Sequence, residues 1–151
     1  MRRRPLLLWA ASAAASAAAP LPYDESADAR AAIRAALATV GAGPRRVLIV
    51  FGANWCEDCR SLDQALKTAR TAELMAREFE LVKVDVGQFD RNLDVAKAYG
   101  DPIRKGIPAA VVLSVDGRVL YSTKSGELSN ARRMGPTGVH DFFDGVVRSA
   151  R

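Results

Sequence analysis

A chain of 151 residues, 49% hydrophobic and 26% charged, has the composition of one soluble globular domain, large enough to bury roughly two-thirds of the surface its unfolded form exposes. Two cysteines are too few for a disulfide scaffold. The formal charge of +5 includes Arg2, Arg3 and Arg4, so a chain without those three carries +2, and the other basic residues alternate with acids, as in Asp24-Glu25-Ser26-Ala27-Asp28-Ala29-Arg30; nucleic acid is therefore not an expected partner.

Met1-Arg2-Arg3-Arg4 followed by an apolar, alanine-rich run from Leu6 to Ala19 has the form of a secretory signal peptide over residues 1–19. A retained anchor is the competing reading, but the run falls short of the ~20 residues needed to cross a bilayer, so no stable span is expected after cleavage. The small-x-small pattern Ala15-Ser16-Ala17 puts the cut near residues 17–19, and a cut after Ala17 avoids placing Pro20 next to the bond. The mature protein is expected to be periplasmic or otherwise exported, and monomeric. Pro20-Leu21-Pro22-Tyr23 reads as an extended linker over residues 20–25, ahead of one domain spanning 26–151.

Ser26 is the expected cap of a first helix, with Ile33, Leu37 and Val40 on one face and Gly41, Gly43 and Pro44 ending it. Val47 to Phe51 is a continuous apolar run too short for a helix, the pattern of a strand buried on both faces. A helix is expected from about Cys56, carrying Leu62, Ala65, Leu66 and Ala69. A second helical piece, capped by Thr71, carries Leu74, Met75 and Phe79. Leu81 to Val86 is the next strand, followed by a short helix ending at Tyr99-Gly100. Ala109 to Leu113 and Val119 to Ser122 form a hairpin across Asp116-Gly117. A loop is expected over 126–137, then a last helix from Thr137 or Gly138 to Val147, with His140 on its exposed side.

The segment Phe51-Gly52-Ala53-Asn54-Trp55-Cys56-Glu57-Asp58-Cys59-Arg60 concentrates the chemistry. A C-x-x-C pair between a buried strand and the first turn of a helix is far more specific than the spacing alone. Unpaired amides at a helix start favour a thiolate, and they favour it more on the first cysteine than on one a turn deeper. Cys56 is therefore expected to be the more acidic and more exposed thiol. Cys59 is close enough to bond with it and to attack a mixed disulfide formed there. A bridge over so short a loop adds little stability, which disfavours a purely structural pair. Structural zinc normally takes four Cys or His ligands, whereas this chain has two Cys and one His; no metal or organic cofactor is expected.

Trp-Cys-x-x-Cys after a strand, Lys83-Val84-Asp85 on the next strand, Gly106-Ile107-Pro108 before a third, and a closing hairpin and helix resemble the thioredoxin family, in particular its exported bacterial members. The resemblance covers about Arg30 to Val147. It implies an α/β thioredoxin-like fold, a mixed four- to five-stranded sheet with helices on both faces. It also implies that Trp55 shields the thiols, that Pro108 is a cis-proline facing them, and that the backbone of Ile107 pairs with an extended substrate. The position at which thioredoxins usually carry a buried aspartate falls here on Val50. Glu57 or Asp58, acting through water, and Lys83, which matches a lysine beneath the site, are the remaining candidates for proton transfer. Two carboxylates within about 6 Å of a thiolate cost ~0.7 kcal/mol each in a water-like dielectric, about half a pKa unit apiece, so a reducing or intermediate potential is expected.

The resulting expectation is a thiol–disulfide oxidoreductase acting on thiols or disulfides of exported proteins and exchanging electrons with another redox protein. A redox-inactive adaptor and a metal-handling protein are the alternatives. Arg104 and Lys105, just before Pro108, are expected near a partner, and the 126–135 segment is expected to be a solvated loop.

Overall fold

The computed structural model describes residues 20–151, so the signal-peptide expectation at 1–19 lies outside the described residues. The elements are α1 (Ala29–Val40), β1 (Arg46–Gly52), α2 (Glu57–Leu66), α3 (Ala69–Glu78), β2 (Phe79–Asp85), α4 (Leu93–Ala98), a single 3-10 turn (Pro102–Lys105), β3 (Ala109–Leu113), β4 (Val119–Ser122) and α5 (Ala131–Ser149).

The four strands are ordered β2-β1-β3-β4. β1 pairs in parallel with β2, Gly52 opposite Asp85, and antiparallel with β3. This central position explains why Val47 to Phe51 do not alternate with polar residues: both faces are covered. Val47, Ile49 and Phe51 pack with Val82 and Val84 under α1 and α4. Leu48 and Val50 pack under α2, α3 and α5, against Leu62, Leu74 and Phe143. The sheet is thus mixed, with helices on both faces, a thioredoxin-like α/β arrangement.

Several boundaries differ from the sequence expectation for local reasons. Asp28, not Ser26, caps α1, its carboxylate accepting the Ala31 N–H at 3.0 Å, while the Ser26 hydroxyl turns to Asp24. Thr68 stands at the N-cap of α3, and Thr71 lies buried inside the helix. The last helix starts at Ala131, within the expected loop, because Gly135 adopts φ 67 and ψ 171 and lets the chain kink ahead of Pro136 and resume. Leu128 is fully buried, so the segment before α5 is anchored and not merely solvated. His140 is buried, contrary to expectation: it falls three and seven residues before Phe143 and Val147, inside the stripe that faces the core. Within the 20–25 segment Tyr23 is buried in the core, while Pro20, Leu21, Asp24 and Glu25 are exposed.

Candidate active site

The motif sits where β1 hands over to α2. Cys56 is the N-cap residue of α2, in extended conformation, and its Sγ accepts the backbone N–H of Cys59 at 3.2 Å. The sulfur thus takes the place of a capping oxygen, satisfying one amide that the helix itself leaves open. Both cysteines are unbridged, Cys56 at 6% exposure and Cys59 at 1%. The Ile107–Pro108 bond is cis, and Cys56 Sγ lies 3.8 Å from the Ile107 carbonyl oxygen. The third strand therefore begins against the first thiol.

These contacts separate the two sulfurs electrostatically. Hydrogen bonding from the Cys59 thiol, joined by the Cys59 amide, lowers the Cys56 pKa to about 7 against the opposing effects of burial and the Asp58 charge. Cys59 moves strongly upward, through its hydrogen bond to Cys56, its burial and the adjacent charge on Cys56. At neutral pH one sulfur is substantially thiolate and the other a thiol, the division a two-step exchange requires.

Trp55 is 49% exposed, its indole N–H donating to Gly87 O at 2.7 Å and its ring meeting Phe89 edge-on at 6.2 Å between centroids. The pair leaves an apolar surface next to the motif. Arg104 and Lys105 are exposed on the turn leading to Pro108.

The remaining candidates for proton transfer all have ionic partners. Arg132, in the first turn of α5, reaches Glu57 at 3.0 Å, and its backbone N–H donates to Asp58 at 3.0 Å. The two carboxylates of the motif are therefore partly balanced by a cation from the far end of the chain. Lys83, opposite Val50 in the β1–β2 register, is paired with Asp63, which also accepts from Lys67 at 2.7 Å. Burial pushes the Asp63 carboxyl upward, but its bonds to Lys67 and Lys83 outweigh this and hold it below the ordinary value. Val50 itself is apolar core, so the strand supplies no acid there.

Sequence reasoning missed Tyr23, Asn54, Asp63, Phe89 and Arg132. Asp63 carried a signal, an acid four residues after Cys59 on the apolar face of α2. The Asn54 side chain binds both backbone polar groups of Tyr23, its Oδ1 accepting from Tyr23 N–H at 2.8 Å and its Nδ2 donating to Tyr23 O at 2.9 Å. The N-terminal segment is thereby fixed to the motif. Arg132 and Phe89 gave no local signal, since they approach the motif only through tertiary structure.

A strand-to-helix dithiol facing a cis-proline across a mixed four-stranded sheet defines a thioredoxin-like protein. A profile of the thioredoxin-like family matches residues 28–114, and the chain belongs to that family. A crystal structure of a disulphide isomerase from Xylella fastidiosa Temecula1 is 53% identical, covering 85% of this chain and 98% of that one with a TM-score of 0.83. The C-terminal domain of DsbD from Neisseria meningitidis, in its reduced form, is 26% identical over 62% of this chain and 81% of its own, with a TM-score of 0.45. Among curated proteins, none matches the chain.

Proposed function

We propose that Cys56 is the attacking thiol and Cys59 the resolving thiol of an exported thiol–disulfide oxidoreductase that reduces or exchanges disulfides in other exported proteins. The oxidoreductase class follows from the family, the paired thiols and the 53% identity to a protein described as a disulphide isomerase. The observation that carries the assignment of roles is the capping geometry: Cys56 Sγ accepts the Cys59 N–H and lies beside the Ile107 carbonyl, while Cys59 is sealed behind it.

In this mechanism the Cys56 thiolate attacks one sulfur of a substrate disulfide, forming a mixed disulfide and releasing the other sulfur as a thiolate. Cys59 then attacks Cys56, the second substrate sulfur leaves, and the enzyme pair is oxidised as the substrate bond is reduced. Trp55 and its neighbour Phe89 offer the docking surface, and the backbone at Ile107 and Pro108 holds the substrate extended beside Cys56. Another redox protein returns the pair to the dithiol state.

The arginine-led apolar segment over residues 1–19 supports export. A Cys56 pKa of about 7 resembles that of reducing family members and not the ~3.5 of the strongest oxidants. Equilibration with glutathione tests this: a potential between about −270 and −180 mV is expected, whereas one near −120 mV would contradict it. In a protein-disulfide reduction assay Cys56→Ala should be inactive. For the exported state, mass spectrometry of protein recovered from the producing cell should find an N-terminus near residue 18.

A further inference from the structure

Resolution requires Cys59, the sulfur with the raised pKa, to lose a proton, and the usual carboxylate on β1 is replaced by Val50. Glu57 and Asp58 are engaged by Arg132, and Asp63 is held by Lys67 and Lys83. Two other groups, Tyr23 and Asp85, border the same end of β1. A methyl group built on Gly52 would fall 2.9 Å from Cys59 Sγ and 2.6 Å from Tyr23 Cζ, and closer still to the Tyr23 hydroxyl oxygen. The hydroxyl and the Cys59 sulfur therefore flank one point, the space a side chain at residue 52 would fill, and only glycine leaves it open.

Asp85 is the β2 partner of Gly52 in the parallel register, so its side chain leaves the sheet on that same face. Its Oδ1 is the one buried side-chain oxygen or nitrogen among the described residues with no hydrogen-bond partner, while its Oδ2 lies 3.5 Å from Arg91. A buried carboxylate oxygen left open in this way asks for a proton or a donor. Burial, followed by the charges of Cys59, Cys56, Asp63 and Asp85, holds the Tyr23 hydroxyl protonated well above its ordinary range. It is thus a standing donor.

We propose that the Tyr23 hydroxyl and the Asp85 carboxylate form the route by which Cys59 gives up its proton, Tyr23 taking it from the thiol and Asp85 receiving it in turn. This rests on the reading of Cys59 as the resolving thiol. As the mixed disulfide is resolved, the Cys59 Sγ proton passes to Tyr23 Oη while the hydroxyl's own proton passes to Asp85 Oδ1, directly on a small rotation or across one water. The Cys59 thiolate attacks Cys56 Sγ, the Cys56–Cys59 bond forms, and the bond from Cys56 to the substrate sulfur breaks. That sulfur leaves with the electron pair and is protonated from solvent. The two cysteines are oxidised, the substrate disulfide is reduced, and Asp85 returns its proton to solvent. The other titratable or charged groups nearby are Cys56 and Asp58 of the motif, Asp63 on α2, Lys83 on β2 paired with Asp63, and Arg91 beside Asp85.

The test uses the reduced protein and a chromogenic aryl disulfide, following in stopped flow the two aryl thiolates released, the first by Cys56 and the second by Cys59. Tyr23→Phe keeps the ring and removes the hydroxyl. It should lower the ratio of second to first release rates by about tenfold at neutral pH, as expected for losing a hydrogen bond to a charged group, and move the rise of the second phase to higher pH. Asp85→Asn should also slow the second release. If Asp85 acted only as a nearby negative charge, that substitution would quicken it, because removing a like charge favours the thiolate. A quickened second phase in Asp85→Asn, or an unchanged ratio in Tyr23→Phe, would overturn the proposal. Release of both equivalents by Cys59→Ala would instead remove the underlying assignment of Cys59.

Discussion

Arg132 binds Asp58 through its backbone, N–H to Oδ1 at 3.0 Å, while its guanidinium reaches Glu57, so the first turn of α5 is joined to the first turn of α2 at the dithiol. The acidic dipeptide between the cysteines is therefore not the uncompensated charge that its sequence suggests. Arg132→Ala should raise the Cys56 pKa, because it removes the guanidinium that opposes Glu57 and lies 4.0 Å from Asp58, while the backbone bond to Asp58 stays. Exposed ion pairs are worth about 0–1 kcal/mol, which limits the rise to roughly 0.7 unit or less. The pH midpoint of alkylation by iodoacetamide reports it directly.

The same measurement on the unaltered protein should give a midpoint of about 7 for Cys56, with Cys59 unreactive over the neutral range. The link to stability has a definite sign. Cys56 is depressed in the folded state, so its contribution is fully present above the unfolded thiol value of about 8.5 and is lost as pH falls through about 7. The Cys56 contribution to the stability of the reduced protein should accordingly grow between those values and vanish in Cys56→Ala. Urea unfolding of the two proteins across that window checks both the direction and its origin.

Asp63 is a buried carboxylate with two lysine partners, one of them the half-buried Lys83. Lys83→Met should cost on the order of 1–3 kcal/mol, the typical penalty for leaving a buried polar group under-paired. Because Asp63 is held below its ordinary value, its contribution is present above about pH 4 and is lost as pH falls through the lower folded value. Removing Lys83 raises that folded value. The onset of acid unfolding should then shift to higher pH, which a titration followed by circular dichroism would detect.

Leu128 is fully buried although it lies between two strings of polar residues. It pins the segment from which α5 starts and so helps place Arg132 over the motif. Leu128→Ala should destabilise the fold by about 2–5 kcal/mol. It should also bring the Cys56 alkylation midpoint toward that of Arg132→Ala. A stability loss without the second effect would separate packing from electrostatic placement.

The parts of the fold carried by local pattern were legible in the sequence. β1 showed itself as an unbroken apolar run, the hairpin by Asp116-Gly117, and the dithiol by its place between a strand and a helix. The helix starts were harder, since Asp28 and Thr68 compete with nearby Ser26 and Thr71 and only the three-dimensional path decides among them. A helix starting at Thr137 or Gly138 puts His140 in an exposed first turn, whereas the helix that starts at Ala131 places it in the buried stripe. At the site, the residues that were missed reach the thiols from 33 positions upstream in the case of Tyr23 and 76 downstream in that of Arg132, counting from Cys56. No local spacing rule reports such approaches. Their only trace was an aromatic residue after two prolines and an arginine in a polar stretch.

The most direct test of the two-thiol account is to express the full chain with Cys59→Ala and identify proteins covalently trapped on it by non-reducing electrophoresis and mass spectrometry. The account predicts adducts that are released by reductant, map to Cys56 and disappear when Cys56→Ala is added. An empty trap, together with a Cys56→Ala protein that still reduces protein disulfides, would contradict it.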